Sequence, residues 1–392
     1  MMKKRRVKIL RIQSRICIGG PAIHTELLSR YLPKDKYETI LLGGALEPGE
    51  SSKFSQIKEK GVDIRIVHNM RREPDFWNDL RAVREVYKII RKEKPTIVHT
   101  HTAKAGFIGR IAAWLAGVPI IIHTFHGHTF ENYFGKIKTQ FFILIERFLA
   151  KISTRIIAIS PEQKKDLSER FRIVADNKIS TIRLGFELEK FLSCNKNGKL
   201  KSDLSIPKDS FLIASIGRLV PVKNHRMALL VLKKLVERKK MVQLCIVGDG
   251  EERENLRRFV VEMGLESFVH FTGWVKEIET IYSGIDLLLL TSLNEGTPVA
   301  VIEALASSVP VVATSVGGVP DLIMSEQNGL LCASDDASGM TRQILRLMDD
   351  DSLAQRLSRH GRRFAAQTYS YTRLIDETDI LYDYLLDDTI IF

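Results

Sequence analysis

Residues Leu289–Ala304 read LLTSLNEGTPVAVIEA, and the interpretation of the whole chain starts from this stretch. The apolar run Asp286–Leu290 predicts a buried strand, and Thr291–Pro298 has the composition of a loop. A helix is predicted to begin at about Pro298, because proline lacks the N–H that the first helical turn leaves unbonded. Thr297 is its predicted N-cap. A strand, a loop and a helix in this order predict a ligand site at the end of the strand.

The loop combines features that suit an anionic ligand. The backbone amides of Gly296, Thr297 and Val299 are expected to face outward at a helix N-terminus, which attracts anions. Glu295 and Glu303 lie eight positions apart, one in the loop and one in the second helical turn. A diphosphate flanked by two hydroxyl-rich sugars matches this layout. From this stretch alone, a capped surface helix with two solvated glutamates remains an equal alternative.

Strands and helices alternate along most of the chain, which predicts an α/β fold with doubly wound parallel sheets. The polar stretch Ser193–Ser205 interrupts the alternation and is interpreted as a linker. We therefore predict two Rossmann-like domains facing across a cleft. The first comprises residues 1–190, with 371–392 crossing back to it, and the second comprises 205–370. At 392 residues, the chain is long enough for both.

Charge is distributed unevenly along the chain. The net charge is +12, but residues 1–200 carry 38 Lys and Arg against 20 Asp and Glu, whereas residues 201–392 carry 21 against 27. The basic half predicts contact with an anionic partner, such as a membrane surface or a lipid phosphate, with solubility alone as the alternative. Basic residues without interleaved aromatic residues argue against nucleic acid. Four scattered cysteines and the lack of long uncharged apolar runs predict a reduced, cytoplasmic protein without a transmembrane helix.

Other strand ends carry glycine and basic residues. Gly20 ends a Gly-Gly pair after the first strand, where an amide can approach a phosphate closely, although a tight turn is the alternative. Arg218 and Lys223 follow the first strand of the second half, and a guanidinium and an ammonium can share the oxygens of a diphosphate. An exposed basic loop is the alternative for this pair. Gly248 follows the next strand, and Asp249 is a candidate cap for the helix after it.

Histidines cluster in the first half of the chain. His126 and His128 lie in a predicted strand-end loop, TFHGHTF, and suit contact with a sugar. His99, His101 and His123 are interpreted as buried, hydrogen-bonded residues. No cysteine or acidic ligand accompanies the five, so we predict no metal site.

Residues 132–151 form an apolar and basic helix pattern. This helix is expected either to lie on an anionic bilayer or to face the core.

Taken together and in order, these motifs resemble glycosyltransferase family 4, whose fold is GT-B. The resemblance covers nearly the whole chain. The matching segments are GG after strand one, ISPEQKKDL, IRLGFELEKF, GRLVPVKN, GDGEE, FTGW, the E-x7-E element, PVVATSVGGVPDLI and NGLL. Within the family, GGPAIHTELLSRYL, VHTHTAKAG and HTFHGHTFENYFG are similar to the branch that builds bacterial surface polysaccharides.

The resemblance implies transfer of a hexose or related sugar from a nucleotide-diphosphate donor, UDP- or GDP-linked, with retention of anomeric configuration and without a required metal or cofactor. It implies that Arg218 and Lys223 bind the diphosphate and that Glu303 binds the ribose. Glu295 is implied near the donor sugar. It also implies donor contacts by Gly20, Gly296, Thr297 and Pro298, and it places His126 near the transferred sugar. Glu295, His126, Arg218 and Lys223 are therefore the candidate catalytic residues, while Gly248 and the amide of Val299 are assigned to donor binding from their positions at strand and helix ends.

The acceptor side departs from the family, since Pro21 to His24 replace the charged residues that many members carry after Gly-Gly. His24 and His128 are the candidate acceptor-side residues. The acceptor is predicted to be lipid-linked or a saccharide, and the protein is predicted to lie at the inner face of the cell membrane, held peripherally. A nucleotide-sugar epimerase and a non-catalytic nucleotide-sugar-binding partner are the alternatives.

Overall fold

A computed structural model of the chain describes most of its residues. The described ranges are 6–16, 20–44, 54–71, 75–127, 136–238 and 240–390. By its internal contacts the chain divides into two compact units, one of residues up to Phe186 and from Tyr371 onward, the other of Glu187–Ser370.

The first unit is built on a seven-stranded sheet in the order β3-β2-β1-β4-β5-β6-β7, with every pair parallel. Its strands are β1 Val7–Gln13, β2 Tyr37–Gly44, β3 Asp63–Val67, β4 Ile97–His101, β5 Ile120–Phe125, β6 Arg155–Ala158 and β7 Ile179–Thr181. Its helices are α1 Gly20–Tyr31, α2 Phe54–Glu59, α3 Phe76–Glu93, α4 Ala103–Leu115, α5 Lys136–Lys151, α6 Pro161–Lys165 and the C-terminal α15 Tyr371–Ile390.

The second unit repeats the plan with six parallel strands in the order β10-β9-β8-β11-β12-β13. Its strands are β8 Phe211–Ile216, β9 Val242–Val247, β10 Val269–Gly273, β11 Leu287–Leu290, β12 Val311–Thr314 and β13 Leu330–Cys332. Its helices are α7 Glu189–Leu192, α8 Lys199–Asp203, α9 His225–Glu237, α10 Arg253–Glu262, α11 Glu279–Gly284, α12 Val299–Ala306, α13 Ala337–Asp349 and α14 Asp351–Tyr369.

Each sheet has one point where the strand order reverses, between β1 and β4 in the first and between β8 and β11 in the second. Ligands of doubly wound sheets bind outside the carboxyl ends of the strands at such a point. Both faces of each sheet bury apolar side chains, as expected when helices cover them, although one face of the first sheet also carries buried polar residues at its strand ends. The predicted doubly wound α/β architecture is confirmed.

The C-terminal helix belongs to the first unit, as expected. Leu374, Tyr382 and Leu385 of α15 pack on the isoleucines of β1, β4 and β5. The backbone N–H of Tyr371 donates to the carbonyl of Phe186 at 3.1 Å. The chain therefore leaves the first unit and re-enters it at neighbouring residues.

The polar stretch Ser193–Ser205, interpreted as a linker, packs on the second unit. It contains α8, and the backbone N–H of Asn197 donates to the carbonyl of Ser283 at 3.0 Å. The chain passes between the units at Phe186–Glu187 instead. Polar, exposed residues are typical of a linker, but they can equally be ordered on a domain surface, as they are here.

A buried ion pair joins α4 and α5. Arg110 is fully buried, and its NH2 group lies 2.7 Å from Oε2 of Glu146. Burial lowers the pKa of Arg110, while the Glu146 charge opposes that shift. Removing one partner leaves a buried charge without compensation.

We expect Glu146→Ala to lower the free energy of unfolding by about 3–5 kcal/mol, because Arg110 then has no counter-charge. Guanidinium unfolding followed by circular dichroism measures this. The exposed pair of Lys240 and Asp349, 2.8 Å apart, supplies the control. Asp349→Ala should cost less than about 1 kcal/mol. Equal losses in both variants would contradict the assigned role of burial.

Candidate functional site

The loops after β8 and β11 meet at the reversal point of the second sheet. Lys223 ends a short 3₁₀ turn after β8, and its Nζ lies 2.6 Å from Oε1 of Glu295. The hydroxyl of Ser292 donates to the same oxygen at 2.6 Å. Only 8% of the Glu295 side chain is exposed. The sequence resemblance assigns Lys223 to the diphosphate and Glu295 to the donor sugar, but in the structure the two side chains are bonded to each other.

Backbone contacts hold these two loops in register. The N–H of Leu293 donates to the carbonyl of Val222 at 2.8 Å, and the Thr291 hydroxyl donates to the carbonyl of Asn224 at 2.9 Å. The Thr314 hydroxyl donates to the carbonyl of Ser292 at 2.7 Å. The position of Lys223 relative to Glu295 is thus set by several bonds besides their own.

Arg218 differs from Lys223 in its surroundings. Its side chain is exposed, while its backbone carbonyl lies 3.2 Å from Nε2 of His225. The other ring nitrogen of His225 lies 2.9 Å from the Ser215 hydroxyl, and burial lowers its pKa to about 4. A neutral His225 therefore anchors the backbone from which Arg218 projects.

Two glycines that sequence reasoning left without a role support the loop of Glu295. A Cβ on Gly317 would lie 2.0 Å from the carbonyl oxygen of Glu295, and one on Gly318 would lie 1.8 Å from that of Gly296. The Gly318 N–H donates to the Glu295 carbonyl at 2.9 Å. The Gly-Gly pair after β12 was the available signal, and it was read only as a family match.

Gly248 has a packing role at the neighbouring strand end. Its φ is +131°, and a Cβ there would lie 2.0 Å from the carbonyl oxygen of Gly217. Asp249 does not cap a helix, contrary to the sequence interpretation. Its carboxylate lies 2.6 Å from NH1 of Arg253, and α10 begins only at that arginine, after Glu252.

The start of α12 also differs from the prediction. The helix begins at Val299, and Pro298, with ψ of 105°, is its N-cap residue. No side-chain cap hydrogen bond is made there, so the assignment of Thr297 as the cap is wrong. The extended ψ of Pro298 moves the first helical residue one position along. Among the described residues, no side chain caps the first-turn amides, which suits an external anion.

Glu303 lies one helical turn further along α12. Its Oε2 accepts a hydrogen bond from the Tyr282 hydroxyl at 2.9 Å. Burial raises the pKa of Glu303 to about 7, although the Tyr282 hydrogen bond and the Lys190 charge lower it. Its carboxyl group therefore changes charge near neutral pH.

The first unit brings three histidines together at its own reversal point. His101 ends β4, His126 follows β5 and His24 lies in α1, which begins at Gly20. Nδ1 of His101 lies 3.1 Å from Nε2 of His126, and the rings of His24 and His126 have centroids 4.9 Å apart. Burial lowers the pKa of His126 to about 3 and holds the pKa values of His24 and His101 well below the usual range. All three are neutral imidazoles at neutral pH.

The remaining histidine predictions have mixed outcomes. His99, His101 and His123 are buried and hydrogen-bonded, as interpreted from the sequence. His128 lies outside the described residues, as does the first glycine of the Gly-Gly pair. His24 was a candidate only through its position after that pair.

Sequence reasoning missed the group that organises these histidines. Arg11 is fully buried in β1, with NH1 3.0 Å from Nδ1 of His99 and 3.4 Å from Nε2 of His101. The sequence signal for this group is an arginine in the middle of a mostly apolar strand.

One nitrogen from each of His24, His101 and His126 lies within 4.8 Å of the others, a grouping that could hold a metal ion. The neighbouring guanidinium of Arg11 opposes a second buried cation. The expectation of no metal stays a prediction.

Comparisons with known proteins identify the family of this chain. Residues 18–190 match the family described as Glycosyltransferase Family 4, and residues 197–364 match Glycosyl transferases group 1. The Escherichia coli UDP-Gal:α-D-GlcNAc-diphosphoundecaprenol α-1,3-galactosyltransferase is 30% identical over 381 residues, covering 96% of this chain and 97% of that protein. The chain belongs to glycosyltransferase family 4.

Another relative and a solved structure support the same family and fold. The capsular polysaccharide biosynthesis glycosyltransferase CapM of Staphylococcus aureus is 27% identical, over 86% of this chain and 90% of that protein. The structure of Anabaena HepE in complex with UDP superposes with a TM-score of 0.82 at 19% identity, covering 96% of this chain and 100% of that one. The GT-B fold and the resemblance to the surface-polysaccharide branch are confirmed, and the protein is a glycosyltransferase. Neither an epimerase nor a non-catalytic partner is favoured.

The raised pKa of Glu303 predicts a pH-dependent stability. Because the folded state favours the protonated carboxyl, its contribution is fully present below about pH 4.5 and is lost as pH rises through 7. Relative to Glu303→Gln, the wild type should lose on the order of 2–3 kcal/mol of unfolding free energy between pH 5 and pH 8.

Denaturant unfolding at a series of pH values measures this difference. Glu251→Gln, on the same unit and exposed, serves as the control and should follow the wild type. Parallel pH profiles for the wild type and Glu303→Gln would contradict the assignment.

Proposed function

We propose that this protein transfers a hexose or related sugar, with retention of configuration, from a nucleoside-diphosphate donor to a lipid-linked or saccharide acceptor in surface-polysaccharide or glycoconjugate biosynthesis. The observation that carries the donor half is the bonded pair of Lys223 and Glu295 beside the uncapped start of α12. HepE was solved with UDP, which makes UDP-linked sugars the first donors to test, before GDP-linked ones.

Diphosphate binding is assigned to the second unit. The leaving group gathers negative charge as the glycosidic bond breaks, and preorganised donors aimed at it lower the barrier. Exposed Arg218, the amides of Gly296, Thr297 and Val299, and the ammonium of Lys223 supply that charge stabilisation. A diphosphate competes with Glu295 for Lys223, so donor binding exchanges one partner of the ammonium for another. Pro298 and Gly248 shape the loops on either side.

The two glutamates serve the sugars at each end of the diphosphate. Glu303, next to Tyr282, accepts hydroxyl hydrogens of the ribose in its ionised form. Glu295 orients the transferred sugar, because the hydrogen bond from Ser292 holds its carboxylate even when Lys223 turns to phosphate. The proton of the acceptor goes to a donor phosphate oxygen on the same face of the sugar, which preserves configuration without a protein nucleophile. No metal or cofactor is required in this proposal.

The first unit supplies the other contacts. Gly20, at the start of α1, approaches the phosphate, and His126 contacts the transferred sugar. His24 and His128 are the acceptor-side residues. The relative from E. coli acts on a diphosphoundecaprenol-linked sugar, which supports a lipid-diphosphate acceptor for this chain.

Lys223→Ala and Arg218→Ala should each lower turnover at least ~100-fold, the cost of removing one group that stabilises developing charge. Release of nucleoside diphosphate and mass spectrometry of the elongated acceptor measure it. Lys240→Ala, an exposed lysine paired with Asp349 on the same unit, is the matched control. Near-wild-type turnover of Lys223→Ala would refute the assignment of this residue.

Product analysis tests the function itself. A panel of UDP- and GDP-sugars is incubated with a lipid-diphosphate sugar acceptor in the presence of a chelator. The expected result is one elongated product, whose new bond has the anomeric configuration of the donor. Epimerised donor without transfer, or an inverted linkage, would refute the proposal.

Peripheral attachment to an anionic membrane is assigned to α5. Ile137 is 88% exposed, and Phe141, Leu144 and Phe148 are exposed on the same helix as Lys138 and Lys151. Ile143 and Ala150 of the same helix pack in the core instead, so α5 has one core-facing side and one exposed apolar side. Apolar and basic side chains together suit insertion into an anionic interface. Within the described residues, no helix is both long and apolar enough to cross a bilayer.

Flotation with liposomes containing anionic lipid should recover the wild type, and the double variant Phe141→Ser and Leu144→Ser should lose most of that binding, because it removes inserted apolar surface. Met241→Ser and Val261→Ser, which alter exposed apolar residues of the second unit, form the control. Equal recovery with neutral and anionic vesicles would rule the attachment out.

A further inference from the structure

A buried polar layer lies on one face of the first sheet. Alternate residues of a strand share a face, so Arg11 and Gln13 of β1 lie on the same side as His99 and His101 of β4. Thr124 lies on this side of β5, where its hydroxyl is 2.8 Å from Nε2 of His99. The layer ends at His126, the proposed sugar contact, so its hydrogen bonds determine the state of that side chain.

Arg11 determines the direction of the bonds in this layer. A guanidinium only donates hydrogen bonds and does not lose its proton in proteins. Its NH1 group lies 3.0 Å from Nδ1 of His99 and 3.4 Å from Nε2 of His101 and has one hydrogen for each, while the Tyr382 hydroxyl, which can also donate, lies 2.6 Å from the same Nδ1 of His99. Both nitrogens must therefore accept. In His99 the proton is then on Nε2, which donates to the Thr124 hydroxyl.

The same logic continues from His101 to His126. A neutral imidazole carries one proton, so His101, whose Nε2 accepts, carries it on Nδ1. This Nδ1–H lies 3.1 Å from Nε2 of His126, which must accept in turn. The proton of His126 is then on Nδ1, a buried atom with no hydrogen-bond partner among the described residues.

We propose that Arg11 and His101 are positioning residues that fix His126 as the neutral Nδ1–H tautomer, whose N–H donates to an oxygen of the transferred sugar. The sugar as ligand rests on the proposed function, whereas the tautomer follows from the hydrogen bonds alone. Because this nitrogen already carries its proton, His126 does not act through it as the base that deprotonates the acceptor. That leaves the proton to the donor phosphate.

This arrangement and a metal site exclude each other. Coordination of a cation by Nδ1 of His101 would move the ring proton to Nε2, which faces NH1 of Arg11. Two donors would then oppose each other in a buried layer, an unfavourable contact. Zinc binding at the cluster of His24, His101 and His126 is therefore an outcome that would overturn the proposal.

Long-range ¹H–¹⁵N NMR of histidine-labelled protein tests the tautomers directly. In the wild type at neutral pH, we expect Nδ1 to be protonated and Nε2 to be unprotonated in both His101 and His126. The resonances are assigned with variants in which one histidine at a time is replaced. His101→Phe should release this preference in His126, whereas His101→Gln should retain it, because its amide can both accept from Arg11 and donate to His126. An Nε2–H tautomer of His126 in the wild type would overturn the proposal even if neither variant folds.

Kinetics separate positioning from a general structural role. His101→Phe should lower kcat about 3- to 10-fold, the typical worth of one neutral hydrogen bond, with recovery in His101→Gln. The double variant with His126→Ala should be no slower than His126→Ala alone, because the two act through one path. Exposed His360→Phe is the control. If the fold-reductions in kcat of the two single variants multiplied in the double variant, the proposal would be overturned.

The outcomes also distinguish this proposal from the proposed function. Full activity of His126→Ala together with the expected NMR tautomers would refute the sugar contact and leave the assignment of Arg11 and His101 intact. Stoichiometric zinc binding by the wild type, measured by calorimetry and lost in His101→Phe, would overturn the tautomer assignment itself.

Discussion

The short ion pair between Lys223 and Glu295 is the electrostatic constraint around which the second unit's site is built, and the backbone bonds between their loops keep the two charges together. It joins the loops of the two strands where the sheet order reverses, and Ser292 bonds the same carboxylate oxygen. Partly buried charges are costly unless paired and hydrogen-bonded. In the pair, each charge offsets the cost of burying the other. The pair lies at the strand ends where doubly wound sheets bind their ligands.

Close backbone packing is the second constraint around this pair. The glycines after β12 allow the carbonyls of Glu295 and Gly296 to approach, and Gly248 allows the loops after β8 and β9 to approach. In each case a Cβ would overlap a backbone oxygen, which cannot move aside as a flexible side chain can. The glycines of the strand-end loops thus act mainly by letting backbone segments of the same chain pack closely. Those after β12 keep the amides at the start of α12 in place.

The electrostatics of the first unit differ from those of the second. Arg11 introduces a buried positive charge into a mostly apolar strand and bonds to imidazoles. Burial above all, and the charge of Arg11 in addition, lowers the pKa values of His24, His99 and His101, so the histidines stay neutral. Neutral rings with assigned donors and acceptors make a directional chain. One unit therefore offers charge to a ligand, and the other offers oriented neutral hydrogen bonds.

The sequence by itself determined the alternating strands and helices, the two parallel sheets and the candidate loop at Glu295, because apolar periodicity and loop residues are local signals. It predicted an apolar and basic helix at 132–151, whose described part, Lys136–Lys151, is helical, but it missed the one-residue shift at Pro298, which depends on a ψ angle and not on composition.

Only the tertiary structure decided the partner of each charged group. Lys223 and Glu295 are 72 residues apart, and Arg11 and His99 are 88 apart. Such pairs become neighbours through the strand order of each sheet, and no pattern within a short stretch of sequence contains that order.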